Sequence, residues 1–258
     1  MHEIFQKSTF FCHLDSKGQK LNILTRIKAI KTWIYTIIIL SIIIFLKNYI
    51  LLQSKELLYF LGIFPLSINF FVMSILILNT TNNHSRGAID NASGVSSVLE
   101  LLNHYADLNN RFKNFVTWFV FTGAEETGTM GIRVFNENIK NLDKKATIII
   151  NFDAIGQSVC LFASKKTRKL KPEFFNMLIK KGNELQILKN IRYKTLGAHS
   201  DGYYLKKQGF IGAGFGDLII YRFVHSREDT PDKINISILE KLCELIISVF
   251  KKLDTMIE

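Results

Sequence analysis

Two long apolar runs dominate the first third of the chain. The first extends over about 32–52 with Lys47 as its only charged residue, and the second extends over 57–78 with none. Each is close to the ~20 residues that a helix needs to cross a ~30 Å hydrocarbon core. The pattern predicts a two-helix transmembrane hairpin within residues 21–80, and a pair of buried core helices is the alternative.

Beyond residue 80 the pattern becomes that of an α/β domain. Apolar residues recur at helical spacing over 95–105 and 238–249. Short β-branched and aromatic runs, typical of strands buried on both faces of a sheet, occur at 8–12, 115–121, 147–152, 159–163, 191–195 and 210–214. We therefore expect an α/β fold with a mixed, mostly parallel central sheet flanked by helices. Residues 1–20 would supply its first strand and residues 81–258 the remainder.

Composition narrows the class of protein. The 258 residues are 48% hydrophobic, which allows a substantial core and excludes disorder as the main state. The net charge of +11 suits an anionic partner, but no basic and aromatic interleaving accompanies it, so nucleic acid is not expected. Three cysteines without CxxC spacing indicate neither a disulfide framework nor a thiolate zinc site, and they fit a reducing compartment.

The basic residues around the apolar runs predict an orientation. Five precede the first run, whereas the connecting loop carries only Lys47 and Lys55. The positive-inside rule therefore puts both outer flanks, and with them the soluble domain, in the cytoplasm. The same flank would also meet anionic headgroups. Its members are Lys17, Lys20, Arg26, Lys28 and Lys31.

Carboxylates and histidines cluster beside the predicted elements, where open α/β sheets carry their catalytic groups. HLDS follows the first strand, GAIDNASG precedes the first helix of the domain, and GAEETG and NFDAIG end two further strands. HSREDT occurs late in the chain, beginning at residue 225. In this order the five motifs resemble the co-catalytic dizinc aminopeptidases of the twenty-eighth metallopeptidase family, whose relatives include glutaminyl cyclases. The resemblance covers 8–16 and 84–250 and implies a zinc-exopeptidase fold of the phosphorylase/hydrolase-like type.

The resemblance also implies a ligand set for two zinc ions. Such ions, ~3.5–4 Å apart, need a bridging carboxylate together with imidazole and further carboxylate ligands. Asp90 would bridge them. His13 and His225 would complete the protein ligands of one ion, and Glu126 with Asp153 those of the other. Taken singly, each residue has an ordinary structural explanation, such as a helix N-cap for Asp90 or an Asx-turn for Asp153.

Two further residues receive roles from the resemblance. Glu125 would be the general base and later the proton donor, and Asp15 would accept the second N–H of the His13 imidazole and fix its tautomer. His84 competes with His13 because it lies only six residues before Asp90, but it lacks an orienting acid two positions later. We expect His199 to be structural or to line the pocket, and His2 and His104 to lie at the surface.

The ligands His13 and Asp90 are separated by 77 residues. An even number of membrane crossings between them would return the chain to the site, so the hairpin would be an insertion and the cleft would open beside the bilayer. Only twelve residues precede His13, where relatives have further strands and helices, so we expect an incomplete sheet edge. Some relatives have a tyrosine at the position of Val224, and Tyr221 is the candidate to replace it.

These observations predict a membrane-anchored zinc aminopeptidase that acts on peptides, with two zinc ions as cofactors and the lipid bilayer as a partner. Two alternatives stay open. A glutaminyl-cyclase-like acyltransferase would use a related ligand set with one zinc and release pyroglutamate. A catalytically silent membrane receptor or scaffold would have lost ligands. The sequence leaves the oligomeric state open.

Overall fold

A computed structural model describes residues 6–49, 55–192 and 200–256. Its strands in these ranges are Gln6–His13 (β1), Gly18–Gln19 (β2), Thr81–Asn82 (β3), Phe115–Thr122 (β4), Thr147–Phe152 (β5), Val159–Ala163 (β6), Leu188–Arg192 (β7) and Ile211–Gly216 (β8). Its α-helices are Ile23–Tyr49 (α1), Lys55–Ile77 (α2), Ser93–Ala106 (α3), Met130–Ile139 (α4), Lys165–Leu170 (α5), Pro172–Glu184 (α6), Asp201–Lys207 (α7) and Ile236–Thr255 (α8).

Six of the strands form the central sheet in the order β4-β1-β5-β8-β6-β7. Neighbouring strands are parallel except β8 and β6, which are antiparallel. The predicted fold class, a mixed and mostly parallel sheet flanked by helices, is confirmed. The strand predicted at 191–195 is β7, which begins at Leu188, and residues 193–195 lie outside the described ranges.

The sheet divides the core into two layers, and β1 shows how its sequence serves both. Successive side chains of a strand point to opposite faces. Phe10 packs in the cluster formed with α3, α6 and α8, whereas Phe11 packs in the cluster formed with α4 and α7. Both phenylalanines are fully buried. The run STFFC is therefore apolar on both faces because helices cover both.

The two predicted domain helices correspond to α3 and to the central part of α8. Helices α4 to α7 were not predicted. The sequence of α6 shows why, because its buried residues Phe174, Phe175 and Leu178 lie among lysine, glutamate and asparagine residues that obscure the apolar face. Its burial depends on contact with α8, which the local pattern does not display.

The two apolar runs form the helical hairpin α1–α2. Helix α1 begins at Ile23, earlier than the predicted span at 32–52, and residues 50–52 lie outside the described ranges. At 1.5 Å per residue, the helices are roughly 40 and 35 Å long. Only 6% and 11% of their apolar windows are buried, so they are not core helices. By length and composition both are candidate membrane spans.

Polar contacts hold the hairpin together and close its base. Asn69 Nδ2 of α2 donates to Thr36 Oγ1 of α1 at 3.1 Å, which satisfies a polar group between two apolar helices. At the base, β2 pairs antiparallel with β3, and the Lys20 N–H donates to the Thr80 carbonyl at 3.2 Å. The chain therefore leaves the α/β domain and returns to it at adjacent points.

We predict that Phe250→Ala lowers the free energy of unfolding by about 3–5 kcal/mol, because it removes a large ring from a close-packed core. The Phe250 ring is fully buried and contacts the rings of Phe10, Phe115 and Phe174. Denaturant titration in detergent measures the change. The matched control is Phe70→Ala on α2, whose side chain is 76% exposed. Similar losses in both variants would contradict this description of the core.

Candidate metal centre

Three adjacent strands bring candidate residues to one edge of the sheet. His13 is the last residue of β1, Asp153 directly follows β5, and Glu125 and Glu126 lie in the turn after β4. Since β1 lies between β4 and β5 and all three are parallel, their carboxyl ends meet at this edge. Residues far apart in sequence are thereby placed side by side.

Asp90 lies in a buried turn, Ala88–Ala92, that is held by its own Asn91 side chain and by the side chain of Asp229. Asn91 Nδ2 donates to the Phe152 carbonyl at 3.0 Å, and Asn91 Oδ1 accepts the Ala154 N–H at 3.3 Å. Asp229, which is fully buried, accepts the Ile89 N–H at 2.5 Å. These bonds fix the turn against the segment that carries Asp153.

Left-handed backbone occurs beside several candidate ligands. His225 itself has φ 64°, Ala124 before the glutamate pair has φ 56°, and Ala154 after Asp153 has φ 58°. Such conformations cost non-glycine residues on the order of 1 kcal/mol or more and persist only where surrounding contacts impose them. Strain of this kind clusters at functional sites, which supports a functional reading of this edge.

The Asp90 carboxylate lies between two imidazoles. Its Oδ1 is 3.1 Å from His13 Nε2, and its Oδ2 is 3.0 Å from His225 Nε2. Asp153 Oδ1 is 3.8 Å from His13 Nε2, and Glu126 Oε1 is 2.5 Å from His225 Nε2. The five side chains that the motifs identified as candidate metal ligands therefore form one connected cluster. Asp90 contacts both histidines, and each histidine contacts one further acid.

These distances divide the candidate ligands into two groups that share Asp90. One group is His13, Asp90 and Asp153, the other is Asp90, Glu126 and His225, and the ligand atoms of each lie within 4.8 Å of one another. This grouping differs from the expected division, in which both histidines complete one ion and both remaining acids the other. The two oxygens of Asp90 face different imidazoles, so each group receives one histidine and one further acid.

Asp15 supports the site differently from the prediction. The Nδ1 of His13 is 2.9 Å from the backbone carbonyl of Asp15, whereas its distance to the Asp15 carboxylate is 3.8 Å. The carboxylate instead accepts the backbone N–H groups of Glu125 and Glu126, both at 3.0 Å. Asp15 therefore orients His13 through its main chain and holds the glutamate turn through its side chain.

Burial and charge shift the pKa values at the site. Burial, followed by the nearby Asp153 carboxylate, raises the pKa of Glu125 to about 9. Burial works to lower the pKa of His225, but hydrogen bonds with Asp90 and Glu126 outweigh it and raise the pKa to about 9. Lys17 Nζ contacts Glu126 Oε2 at 2.8 Å and adds a further positive charge. Without metal, cations of the chain thus neutralise the crowded carboxylates.

The donor set suits zinc. Imidazole nitrogens and carboxylate oxygens are both zinc ligands, and one acid shared between two groups matches a two-ion site. Among the described residues, Glu126 Oε1 is buried without a hydrogen-bond partner, and it forms an ion pair with His225. A buried carboxylate oxygen of this kind is suited to a metal ion.

The site also contains residues that the motifs did not identify. Lys17 and Arg26 were assigned to a basic flank for lipid headgroups, yet Lys17 contacts Glu126 and Arg26 Nη2 lies 3.1 Å from His225 Nδ1. Asp229 belongs to the HSREDT motif, four residues after His225, so the motif could have indicated that this acid lies near the site. Tyr221, the candidate oxyanion group, interacts electrostatically with Asp153.

The remaining histidines lie elsewhere or outside the described ranges. His84 is exposed and belongs to neither candidate ligand group, in agreement with the preference for His13. His104 is half-buried, and its ring contacts the Tyr105 ring at 4.8 Å between centroids. His2 and His199 lie outside the described ranges.

The fold is that of a zinc peptidase, and the two candidate ligand groups lie at the carboxyl edge of its sheet. The sequence model of peptidase family M28 matches residues 73–250, well over half of the chain. The chain therefore belongs to peptidase family M28. No curated protein matches the chain significantly.

Several aminopeptidases have similar solved structures. An aminopeptidase from Aneurinibacillus sp. strain AM-1 has a TM-score of 0.54 at 22% identity over 66% of this chain and 40% of its own. BSAP, a zinc aminopeptidase from Bacillus subtilis, has a TM-score of 0.52 at 19% identity over 66% of this chain and 42% of its own. A leucine aminopeptidase precursor from Bacteroides thetaiotaomicron VPI-5482 has a TM-score of 0.56 at 13% identity over 96% of this chain and 72% of its own. The likeness establishes the shared fold, and the chain spans less than half the length of the first two.

We predict that Asp229→Asn weakens zinc binding about 10–100-fold, as loss of groups that support ligands commonly does. The amide would lose the charged acceptor for the Ile89 N–H and loosen the turn that carries Asp90. Competition with a chromophoric chelator measures the dissociation constant. Asp232→Asn is the matched control, since its side chain is 66% exposed on the same loop. Equal zinc affinity in both variants would argue against this support.

Proposed function

We propose that the protein is a membrane-anchored, zinc-dependent aminopeptidase. The observation that carries the proposal is the pair of ligand groups sharing Asp90, with Glu125 next to one of their members in the chain. Family membership supports peptidase chemistry, and the similar solved structures support the fold on which it would operate.

In this mechanism His13, Asp90 and Asp153 would hold one zinc ion, and Asp90, Glu126 and His225 would hold the other. When bound, the ions would polarise the scissile carbonyl and lower the pKa of water towards ~7. The Asp15 carboxylate fixes the turn that carries Glu125 and Glu126, so the two side chains can serve different roles. One would bind metal while the other stays free for proton transfer.

Glu125 carries the proton. Its carboxylate oxygen accepts a proton from the attacking water and later gives it to the nitrogen of the leaving amine. Burial raises the pKa of this carboxyl group, which makes its carboxylate a stronger proton acceptor than that of an exposed glutamate. Tyr221 is the candidate donor for the oxyanion of the tetrahedral intermediate.

We predict that Glu125→Gln retains two zinc ions per chain and loses hydrolysis of aminoacyl amides by about 10²–10⁴-fold, since the amide cannot accept the proton. Metal analysis and steady-state kinetics on the detergent-purified chain measure both quantities. Glu137→Gln is the control because its side chain is 64% exposed on α4, the helix that follows the turn. Undiminished hydrolysis by Glu125→Gln would refute the assigned role.

The two alternatives make different measurable claims. A glutaminyl-cyclase-like enzyme would bind one zinc and convert an N-terminal glutamine to pyroglutamate, whereas the two ligand groups favour two ions and a free amino acid as product. A silent receptor or scaffold would bind peptide without cleaving it. All five candidate ligands are retained, so nothing in the ligand set favours a silent protein.

The hairpin would anchor the enzyme in a bilayer as an insertion between the ligands His13 and Asp90. Residues 1–20 and 81–258 would form the catalytic domain, and residues 21–80 the insertion. Exposed apolar side chains along both helices support this arrangement. By the positive-inside rule the catalytic domain would face the cytoplasm.

We predict that a membrane-impermeant maleimide labels Gln53→Cys, in the segment connecting the helices, in intact cells. Glu137→Cys on the catalytic domain should be labelled only after permeabilisation. The native cysteines Cys12, Cys160 and Cys243 are buried, which keeps the background low. The reverse pattern would contradict the orientation, and equal labelling of both variants in intact cells would contradict the anchor.

A further inference from the structure

Arg26 brings a guanidinium group from the hairpin to the metal centre. It lies in the first turn of α1, and its Nη2 is 3.1 Å from His225 Nδ1. The base of the hairpin contacts the same loop, because the Gln19 N–H donates to the His225 carbonyl at 2.8 Å. The chain at the base of the hairpin is therefore joined to the His225 loop beside the guanidinium.

The contact with His225 does not give the guanidinium an acceptor. A guanidinium only donates hydrogen bonds. An imidazole that binds a metal through Nε2 keeps its proton on Nδ1, where it needs an acceptor of its own. Two donors would then face each other across 3.1 Å. With His225 serving as a ligand, Arg26 is left to find another partner.

No such partner is present among the residues that the structure describes. Arg26 Nε is buried without a hydrogen-bond partner, and the side chain forms no ion pair there. Glu126 acts on Arg26 electrostatically, but its carboxylate is engaged by Lys17 at 2.8 Å and by His225 at 2.5 Å. A partly buried cation without an anionic partner is unfavourable, so the position calls for an anion.

The position of Arg26 is within the field of the reacting groups. Tyr221 interacts electrostatically with Arg26 and also with Asp90, Asp153 and Glu125, so Arg26 and the candidate catalytic groups lie around the same tyrosine. Among the groups that act electrostatically on Tyr221, Asp153, Asp90 and Glu125 are acidic and Arg26 is basic. Arg26 therefore adds a positive charge beside these candidate catalytic groups.

We propose that Arg26 binds a carboxylate of the peptide substrate and makes peptides that carry this carboxylate the preferred substrates. The planar fork of a guanidinium matches a carboxylate with two parallel hydrogen bonds. The carboxylate is either an Asp or Glu side chain or the C-terminus of a short peptide. This inference rests on the proposed peptidase function, whose residues place the substrate beside Tyr221.

The test measures peptide binding without turnover. Zinc-loaded Glu125→Gln protein is titrated calorimetrically with three pairs of tripeptides that differ in one charge. The pairs are Glu-Ala-Ala-amide with Gln-Ala-Ala-amide, Ala-Glu-Ala-amide with Ala-Gln-Ala-amide, and Ala-Ala-Ala with its amide. The first two pairs report on a side chain and the third on the C-terminus. In at least one pair the charged peptide should bind about 10-fold tighter or more.

Arg26→Met in the same background should bring that ratio to about 1 while zinc stoichiometry and affinity stay unchanged. Arg26→Lys should retain part of the ratio, because it keeps the charge and loses the fork. Lys28→Met is the matched control, since Lys28 is an exposed cation in the same helix, and it should leave the ratio intact. If Arg26→Met does not fold, Arg26→Gln replaces it.

Three results would overturn the proposal: a ratio near 1 for all three pairs in the parent protein, an unchanged ratio in Arg26→Met, or loss of zinc from Arg26→Met. The last would make Arg26 a support of His225 alone. If charged peptides bind more tightly but the wild-type protein cleaves no peptide, the proposed peptidase function is wrong and the Arg26 site is retained. If the wild-type protein hydrolyses charged and neutral peptides with equal KM, the peptidase function is retained and the Arg26 site is wrong.

Discussion

The whole site depends on placing three buried carboxylates and two imidazoles within contact range around Asp90. Like charges at these distances repel strongly in a buried setting, and Asp90 and Asp153 are almost completely buried. Positively charged side chains of the protein offset this repulsion between carboxylates. His13 and His225 lie at 3.1 and 3.0 Å from the two oxygens of Asp90, and Lys17 contacts Glu126. Bound zinc would take over part of this compensation, which is why the same residues that stabilise the folded chain are suited to hold metal.

The fold supplies that placement with short, rigid connections. Parallel strands β4, β1 and β5 end together and carry the glutamate pair, His13 and Asp153 to one edge. Contacts between the connecting turns then set the final positions. Asn91 joins the Asp90 turn to Phe152 and Ala154, and the Asp15 carboxylate holds the backbone of the glutamate turn. Each turn is thus oriented by a side chain from a different segment.

The sequence predicted the parts of this structure that depend on local patterns. The strand runs at 115–121 and 147–152 correspond to β4 and β5, because strands buried on both faces are apolar throughout. The ordered motifs selected residues that the fold brings together. The division of the ligands and the contacts of Asp15 differ from the expectations, because both depend on the direction of individual carboxylate oxygens. Local sequence shows that Asp15 is near His13 but not that its side chain reaches the turn after β4, 110 residues away.

The contacts of Lys17 and Arg26 were also not predictable from the sequence, and they connect the hairpin to the metal centre. Among neighbouring basic residues only their charge is visible in the sequence, so a flank facing lipid headgroups was the natural expectation. Folding instead turns two members of that flank towards Glu126 and His225. Gln19 adds a main-chain bond to His225 from the strand at the base of the hairpin. Since α1 continues directly from Arg26 into the apolar run, a shift of this helix moves the guanidinium relative to the metal ligands. The start of α1 is therefore structurally part of the site, and, if the hairpin spans a bilayer as proposed, anchoring the helix would also restrict the position of this guanidinium.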